Sequence, residues 1–386
     1  MEQRIEFALK AMRTLNFRAL CQEYGVSAKT GYKWKERFLR EGMSGMVEES
    51  RRPRSSPERL GEEAVCEIVR LKLAQVSWGP RKIRELYLRR HGEVASESTF
   101  KRVLERAGLT ERRRQRRRSS SEAGKLCSGR RGAAPNEVWT VDFKGWWRSY
   151  GKRCEPLTVR DEHSRYVLEV RAMENARTET VRQSFERLFE RNGLPEAIRS
   201  DNGVPFASVS GLLGLSRLSA WWVALGIDLE RGRPGHPQDN AAHERMHRDI
   251  SREIEALGET DQEAMELWRQ SFNYERPHEA LGMRCPGEVY RSSERKYDGT
   301  PEDLDYPQMC SRRVSAQGTI KVDDQSIFLS RALAGWSIGL KPVSAEGMEV
   351  WFGRLFLGEL DLAASNFIRA DVRPNKTADK IKMCKQ

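Results

Sequence analysis

Arg199-Ser200-Asp201-Asn202-Gly203, read with Pro237-Gln238-Asp239-Asn240-Ala241-Ala242-His243-Glu244-Arg245-Met246-His247-Arg248, is the stretch from which the rest of the chain is read. An apolar pair, Ala197-Ile198, runs into Asp201 and then Asn-Gly, a turn signal. A second acid, Glu244, sits in a periodic segment behind the breakers Pro234, Gly235 and Pro237. A third, Asp142, lies in Val138-Trp139-Thr140-Val141-Asp142-Phe143. One acid at a turn is ordinary turn chemistry. Three on separate elements of a basic chain point to divalent metal and a nucleic-acid phosphodiester.

The bulk properties agree with that reading. The 386 residues suggest two to three domains, at roughly 150 residues each. A net charge of +12 favours a polyanionic partner. No apolar run reaches about 18 residues, so no membrane span is expected. Met1-Glu2-Gln3-Arg4 lacks an apolar signal core, which points to the cytoplasm, at the nucleoid. The seven cysteines form no CxxC and no close Cys/His pairing, so they read as free thiols rather than zinc ligands.

Residues 1–50 contain a helix-turn-helix pattern. Phe17 to Tyr24 is helical, Gly25 turns, and Ser27 caps the next helix. Gly31, Trp34 and Phe38 share an inward face, leaving Lys29, Thr30 and Lys33 outward toward DNA. Residues 51–60 are a Pro/Ser/Arg linker. Residues 61–110 repeat the theme. Val65, Ile68, Val69 and Leu73 are spaced for one helix, and Ile83, Leu86 and Tyr87 for a second. Ser96 or Ser98 caps a third, with Lys101 and Arg102 outward. Residues 111–135 carry Arg112, Arg113, Arg114, Arg116, Arg117 and Arg118 and a net charge of +7. Such an arm lies on phosphates or in a minor groove, or is a solvated linker.

Residues 136–290 switch to strands. Val138–Phe143, Leu157–Arg160 and Tyr166–Val170 read as a three-stranded meander. A helix from Thr178 to Arg191, a short strand into Asp201, a helix from Leu218 to Leu225, a strand at 226–230 and the helix of Glu244 follow. The order β-β-β-α-β-α-β-α suits an α/β RNase H-like core. Asp142 and Asp201 then end neighbouring strands, and Glu244 approaches from a helix. Two Mg2+ or Mn2+ ions fit that set, Asp142 bridging both. Asn240, His247 and Arg248 share the Glu244 face and are candidates to hold a DNA strand. Asp161 competes with Asp142 but suits a turn, and Asp239 suits a helix N-cap. Residues 291–310 read as a linker, 311–371 as a small β-barrel-like domain and 372–386 as a disordered tail.

Val138-Trp139-Thr140-Val141-Asp142-Phe143-Lys144-Gly145, Arg199–Gly203 and Gly235–Arg245 together resemble the three catalytic blocks of bacterial insertion-sequence transposases. Phe272-Asn273-Tyr274-Glu275-Arg276-Pro277-His278-Glu279-Ala280-Leu281-Gly282 resembles the segment that closes that core. The resemblance implies a retroviral-integrase-like fold with Asp142, Asp201 and Glu244 as a DDE triad. It also implies cleavage at terminal inverted repeats and strand transfer into target DNA. Mg2+ or Mn2+ and a homo-oligomer on double-stranded DNA ends go with it. One departure stands out: 42 residues separate Asp201 from Glu244, more than the family's usual gap. The excess is placed at Ser208–Ser216. A DNA-binding regulator or inactive relic, and a metal-dependent nuclease that does not join strands, are the competing readings. Nothing in the sequence speaks to a partner ATPase.

Overall fold

The computed structural model describes residues 2–48, 60–92, 95–110, 130, 132–149, 151–173, 175–232, 241–259 and 261–370. The arginine run 112–118, Asn240, the loop before Glu244 and the tail 372–386 lie outside them. The chain divides into two compact units, Met1–Gly61 and Glu62–Gln386.

The first unit is three helices, α1 (Glu2–Ala11), α2 (Phe17–Glu23) and α3 (Ala28–Glu41). Ser27 caps α3 by accepting the Thr30 amide at 3.2 Å. Gly31 is buried at the crossing with α2, where an added Cβ would meet Cys21 Sγ at 2.7 Å and the Phe7 ring at 2.9 Å. The sequence reading missed α1. Its Phe7 is the hub, meeting Phe17, Tyr24 and Trp34 edge-on.

In the second unit, α4 (Glu62–Ala74), α5 (Pro80–His91) and α6 (Glu97–Arg106) form another three-helix module. Ile68, Leu71, Ile83, Phe100 and Leu104 fill its centre. Leu73, expected inward, is 58% exposed; Leu71 takes its place. Ser77 bonds Glu253, Arg81 pairs with Glu279 at 3.2 Å, and Arg89 pairs with Glu288 at 3.0 Å. These bonds tie the module to the helices that follow.

The central sheet has the order β5-β4-β1-β6-β7. Its strands are β1 (Val138–Phe143), β4 (Leu157–Asp161), β5 (Val167–Arg171), β6 (Ala197–Ser200) and β7 (Asp228–Arg231). A hairpin absent from the expected meander, β2 (Trp147–Ser149) and β3 (Lys152–Cys154), leaves the sheet between β1 and β4. β1, β4 and β5 run antiparallel; β6 and β7 run parallel to β1. Helices α7 (Thr178–Asn192) and α8 (Arg217–Ala224) cover one face. There Trp139, Val141, Leu157 and Val159 meet Phe185, Phe189, Trp221 and Trp222. Helices α9 (Ala241–Glu253) and α10 (Gln262–Tyr274) cover the other, through Met246, Ile250, Met265 and Phe272. This is the mixed sheet with helices on both faces that the order of elements implied.

After α11 (Pro286–Val289), residues 291–310 form a packed strap. Arg295 bonds the carbonyls of Pro195, Leu225 and Gly226, and Thr300 accepts from the Trp221 indole. The C-terminal unit is β-rich. Strands β8 (Cys310–Arg313), β11 (Ser337–Pro342), β12 (Gly347–Phe352), β13 (Leu355–Asp361) and β14 (Asn366–Arg369) make one antiparallel sheet. β9 (Thr319–Val322) and β10 (Gln325–Phe328) make a separate hairpin. Among the described residues these ladders do not join, so the expected barrel is an open sheet with a hairpin.

The extra length between Asp201 and Glu244 has a place here. Leu212 and Leu215, from Ser208–Ser216, are each 1% exposed in one cluster with Ile320, Leu329, Ile338, Val350 and Leu360. The segment is an apolar plug between the core and the β-rich unit. Leu215→Ala should lower unfolding stability by about 2–5 kcal/mol. Urea denaturation checks this, and a loss under about 0.5 kcal/mol would mean that the plug is not packed.

Candidate active site

Alternation along the strands sets the site. Trp139 and Val141 point to α7 and α8, so Thr140 and Asp142 point to α9; on β4, Thr158 and Arg160 do the same. Polar side chains thus occupy an inner face where apolar ones are usual.

β1 and β6 are parallel with Thr140 opposite Arg199. Asp142 and Asp201 each lie two residues beyond that pair, at the carboxyl ends of adjacent strands. Asp201 begins a tight turn: its Oδ1 accepts the Gly203 amide at 3.1 Å. A Cβ at Gly203 would sit 2.9 Å from Asp201 Oδ2, so a glycine is needed to leave that carboxylate in place. Arg231 braces the turn through Ser200 Oγ and the Phe206 carbonyl.

Glu244 stands on the first turn of α9, and its neighbour His243 fixes that turn. The fully buried His243 ring reaches Thr140 Oγ1 through Nδ1 at 3.0 Å and Thr158 Oγ1 through Nε2 at 2.6 Å. Thr158 donates its one hydroxyl proton to the Asp142 carbonyl at 2.9 Å. Both histidines that meet Thr158 must therefore donate to it from Nε2; His247 does so at 2.8 Å. The Thr140 hydroxyl has two acceptors in reach, the Arg160 carbonyl at 3.3 Å and, in a neutral ring, His243 Nδ1 at 3.0 Å. Burial, with His247 and Arg160 adding to it, holds His243 well below the usual imidazole range. The same pressure takes His247 to about 4. Burial therefore keeps both rings neutral.

Asp142 is pushed up to about 7, first by burial and then by the charges of Asp201 and Glu244. The three carboxylates therefore feel one another. Glu244 and Asp201 are exposed and Asp142 half-buried. Among the described residues they are not gathered tightly enough to form a metal ligand cluster. Like charges with nothing between them repel, which keeps such a set open. The donors are all hard carboxylate oxygens, the set that suits Mg2+ or Mn2+.

The other candidate residues are spread over the chain. Lys29 and Lys33 are exposed on α3, while Thr30 turns its hydroxyl to Ser27 at 2.9 Å. Lys101 and Arg102 are exposed on α6, with Lys101 3.8 Å from Glu105 and Arg102 bonded to the Ser98 carbonyl. Arg248 is exposed on α9. His247 is a correction: it is buried against Thr158 and turned away from any strand lying on α9. Asp161 accepts from the Asn136 and Ser164 amides, a structural role. Sequence reasoning passed over Thr140, Thr158 and Arg160, although polar residues at alternate positions of apolar strands were a usable signal.

Residues 132–237 and 225–286 match integrase core domain families. The chain carries an integrase core domain. Ahead of it, residues 3–54 match a helix-turn-helix domain and residues 30–104 a homeodomain-like domain. The 31.7 kDa protein of insertion element IS407 from Burkholderia multivorans is 28% identical over 242 residues, 61% of this chain and 83% of its own. The 39.2 kDa protein of insertion element IS476 from Xanthomonas euvesicatoria is 24% identical over 253 residues, 64% and 70%. The HTLV-2 integrase catalytic core domain, solved with magnesium, has a TM-score of 0.34 and 16% identity, over 42% of this chain and all of its own.

The raised Asp142 carboxyl makes the integrase core pH-sensitive. Its folded value, about 7, lies above the unfolded 3.8. The stability from its bound proton is complete below the unfolded value and is lost as pH rises through 7. In EDTA at pH 8, Asp142→Asn should melt above wild type, by roughly 2–4 °C per kcal/mol of repulsion removed. The gap should close as pH falls toward 4. A gap that does not change with pH would contradict the raised Asp142 carboxyl, whose first cause is burial and whose second is the charge of Asp201.

Proposed function

We propose that this chain is a DDE transposase, which cleaves at the terminal inverted repeats of a mobile element and joins the freed 3′-OH ends to target DNA. The observation that carries this is the placement of Asp142 and Asp201 at the ends of adjacent parallel strands, with Glu244 held over them by the His243 anchor. Insertion-element relatives and the integrase core domain support the same reading.

Asp142, Asp201 and Glu244 would together hold the divalent metal. Bound there, Mg2+ or Mn2+ would activate the attacking oxygen and stabilise the leaving one. Asp142 is fixed by the strand ladder and by the Thr158 hydroxyl on its carbonyl. Asp201 is fixed by its turn, and Glu244 by the α9 clamp. In cleavage, a water oxygen forms a bond to phosphorus and the bond to O3′ breaks, leaving a 3′-OH. In transfer, that 3′-oxygen forms a bond to a target phosphorus, its proton passes to solvent, and the target's O3′ leaves. No protein nucleophile enters either step. Helices α3 and α6, with Lys29, Lys33, Lys101 and Arg102, would grip the repeats, and the arginines at 112–118 would follow the backbone. Bringing two ends together calls for at least two copies of the chain.

The test is a strand-transfer assay. Purified protein is incubated with a labelled duplex ending in the terminal repeat that flanks its own gene, a plasmid target, and Mg2+ or Mn2+. Joined product should form, and Asp142→Asn, Asp201→Asn and Glu244→Gln should each lower its rate by roughly 10³-fold or more with DNA binding retained. Cleavage without joining would make the chain a nuclease. Binding without chemistry in either metal would make it a DNA-binding regulator.

A further inference from the structure

Beside β1 and β4, four cations gather without an ion-pair partner among the described residues, although Asp161 and Glu162 act on Arg160, and Asp249 and Glu253 on Lys82, from further off. Arg160 on β4 is only 3% exposed, yet no hydrogen bond or ion pair reaches its guanidinium, and its Nε is wholly enclosed. Arg165 in the β4–β5 turn, Arg245 next to Glu244 on α9, and Lys82 on α5 likewise make no side-chain hydrogen bond or ion pair among the described residues. The four share one place: Arg165 repels both Arg160 and Arg245, and Arg245 repels Lys82. His278, whose buried Nε2 has no partner, feels Lys82, Arg165 and Arg160 from the loop after α10.

The acids nearby are already engaged. Arg276 takes Asp249 at 2.9 Å and Glu253 at 3.1 Å. Arg199 takes Glu162 at 2.8 Å, and Asp161 is held by Ser164 and Asn136. Positive charge withdrawn from water without a counter-charge is costly. The cost shows in the side chains themselves: burial, with neighbouring arginines, takes Lys82 down to about 8 and Arg160 to about 10. Arg165 also holds a left-handed backbone, φ +62°, where glycine or asparagine is usual.

We infer that Lys82, Arg160, Arg165 and Arg245 form a phosphate site that receives a backbone phosphate of the DNA strand under attack. The inference rests on the transposase reading for its occupant. Arg160 pairs across the ladder with Thr140, two residues from Asp142. That is roughly 7 Å along the strand, or about two base-pair steps of DNA. A phosphate there would fix the register of the scissile bond on the carboxylates. It would also tie α5 of the second helical module to the catalytic core through one strand of DNA.

The full chain is tested by fluorescence anisotropy on a labelled terminal-repeat duplex over a series of salt concentrations. Lys82→Gln and Arg165→Asn should each weaken binding several-fold and flatten the salt slope by about one phosphate contact. Their melting temperatures without DNA should stay level or rise, because repulsion is removed; a merely structural pair of residues would lose stability. Lys321→Gln, at an exposed position of β9, should change neither quantity. Inorganic phosphate at matched ionic strength should raise the wild-type melting temperature, and do so less for Arg165→Asn. Unchanged salt slopes in both variants would overturn the inference while leaving strand transfer by wild type intact. A phosphate effect with unchanged DNA slopes would assign the site to a free anion and overturn the DNA occupant. Failure of wild type to bind any duplex would overturn the transposase reading and this inference together.

Discussion

One buried imidazole joins the two halves of the candidate active site. His243 spans Thr140 on β1 and Thr158 on β4 and so pins the first turn of α9 across two strands. Met246 and Ile250 pack the body of α9 on the sheet, and the His243 bridge extends that hold to the turn that carries Glu244. With it, the position of the third carboxylate follows from the ladder that positions the first. The closed interior keeps that ring neutral by making the charged form costly. His247 repeats the contact one turn later and keeps α9 from rolling about its axis.

The sheet brings opposing demands together at its polar face. Carboxylates gather at the strand ends, where burial and mutual repulsion raise Asp142. Cations gather two residues away along β4, where Arg160 is enclosed without an ion-pair partner among the described residues. Each group is poorly satisfied by the protein alone. On the proposed reading, metal on one side and a DNA phosphate on the other would satisfy both at once.

Much of this was legible in the sequence, for reasons specific to each element. That Asp142 and Asp201 end neighbouring strands was legible because each closes a short apolar run at a turn. That Glu244 stands on a helix was legible because the segment is amphipathic and starts behind breakers. The hairpin at Trp147–Cys154 was not legible, since three-residue strands carry little pattern. Strands β8, β11 and β14 escaped because Cys310–Arg313 is exposed throughout, Ser337–Pro342 contains glycine and proline, and Asn366–Arg369 is mostly exposed. His247 was misplaced because helical spacing gives a shared side of α9 but not which residues the sheet covers. The cation cluster could not be read at all: Lys82, Arg160, Arg165 and Arg245 come from three distant parts of the chain, and only the fold brings them together. The segment 208–216 read as a tolerated insertion, whereas its leucines are core to the β-rich unit.

The most direct test of the central claim is to locate the metal. Crystals of the protein with a terminal-repeat duplex, soaked in Mn2+, would be measured at the manganese absorption edge. The account predicts two anomalous peaks per active site, both touching Asp142, one reaching Asp201 and the other Glu244. Peaks elsewhere in the chain, with none between these three carboxylates, would contradict it.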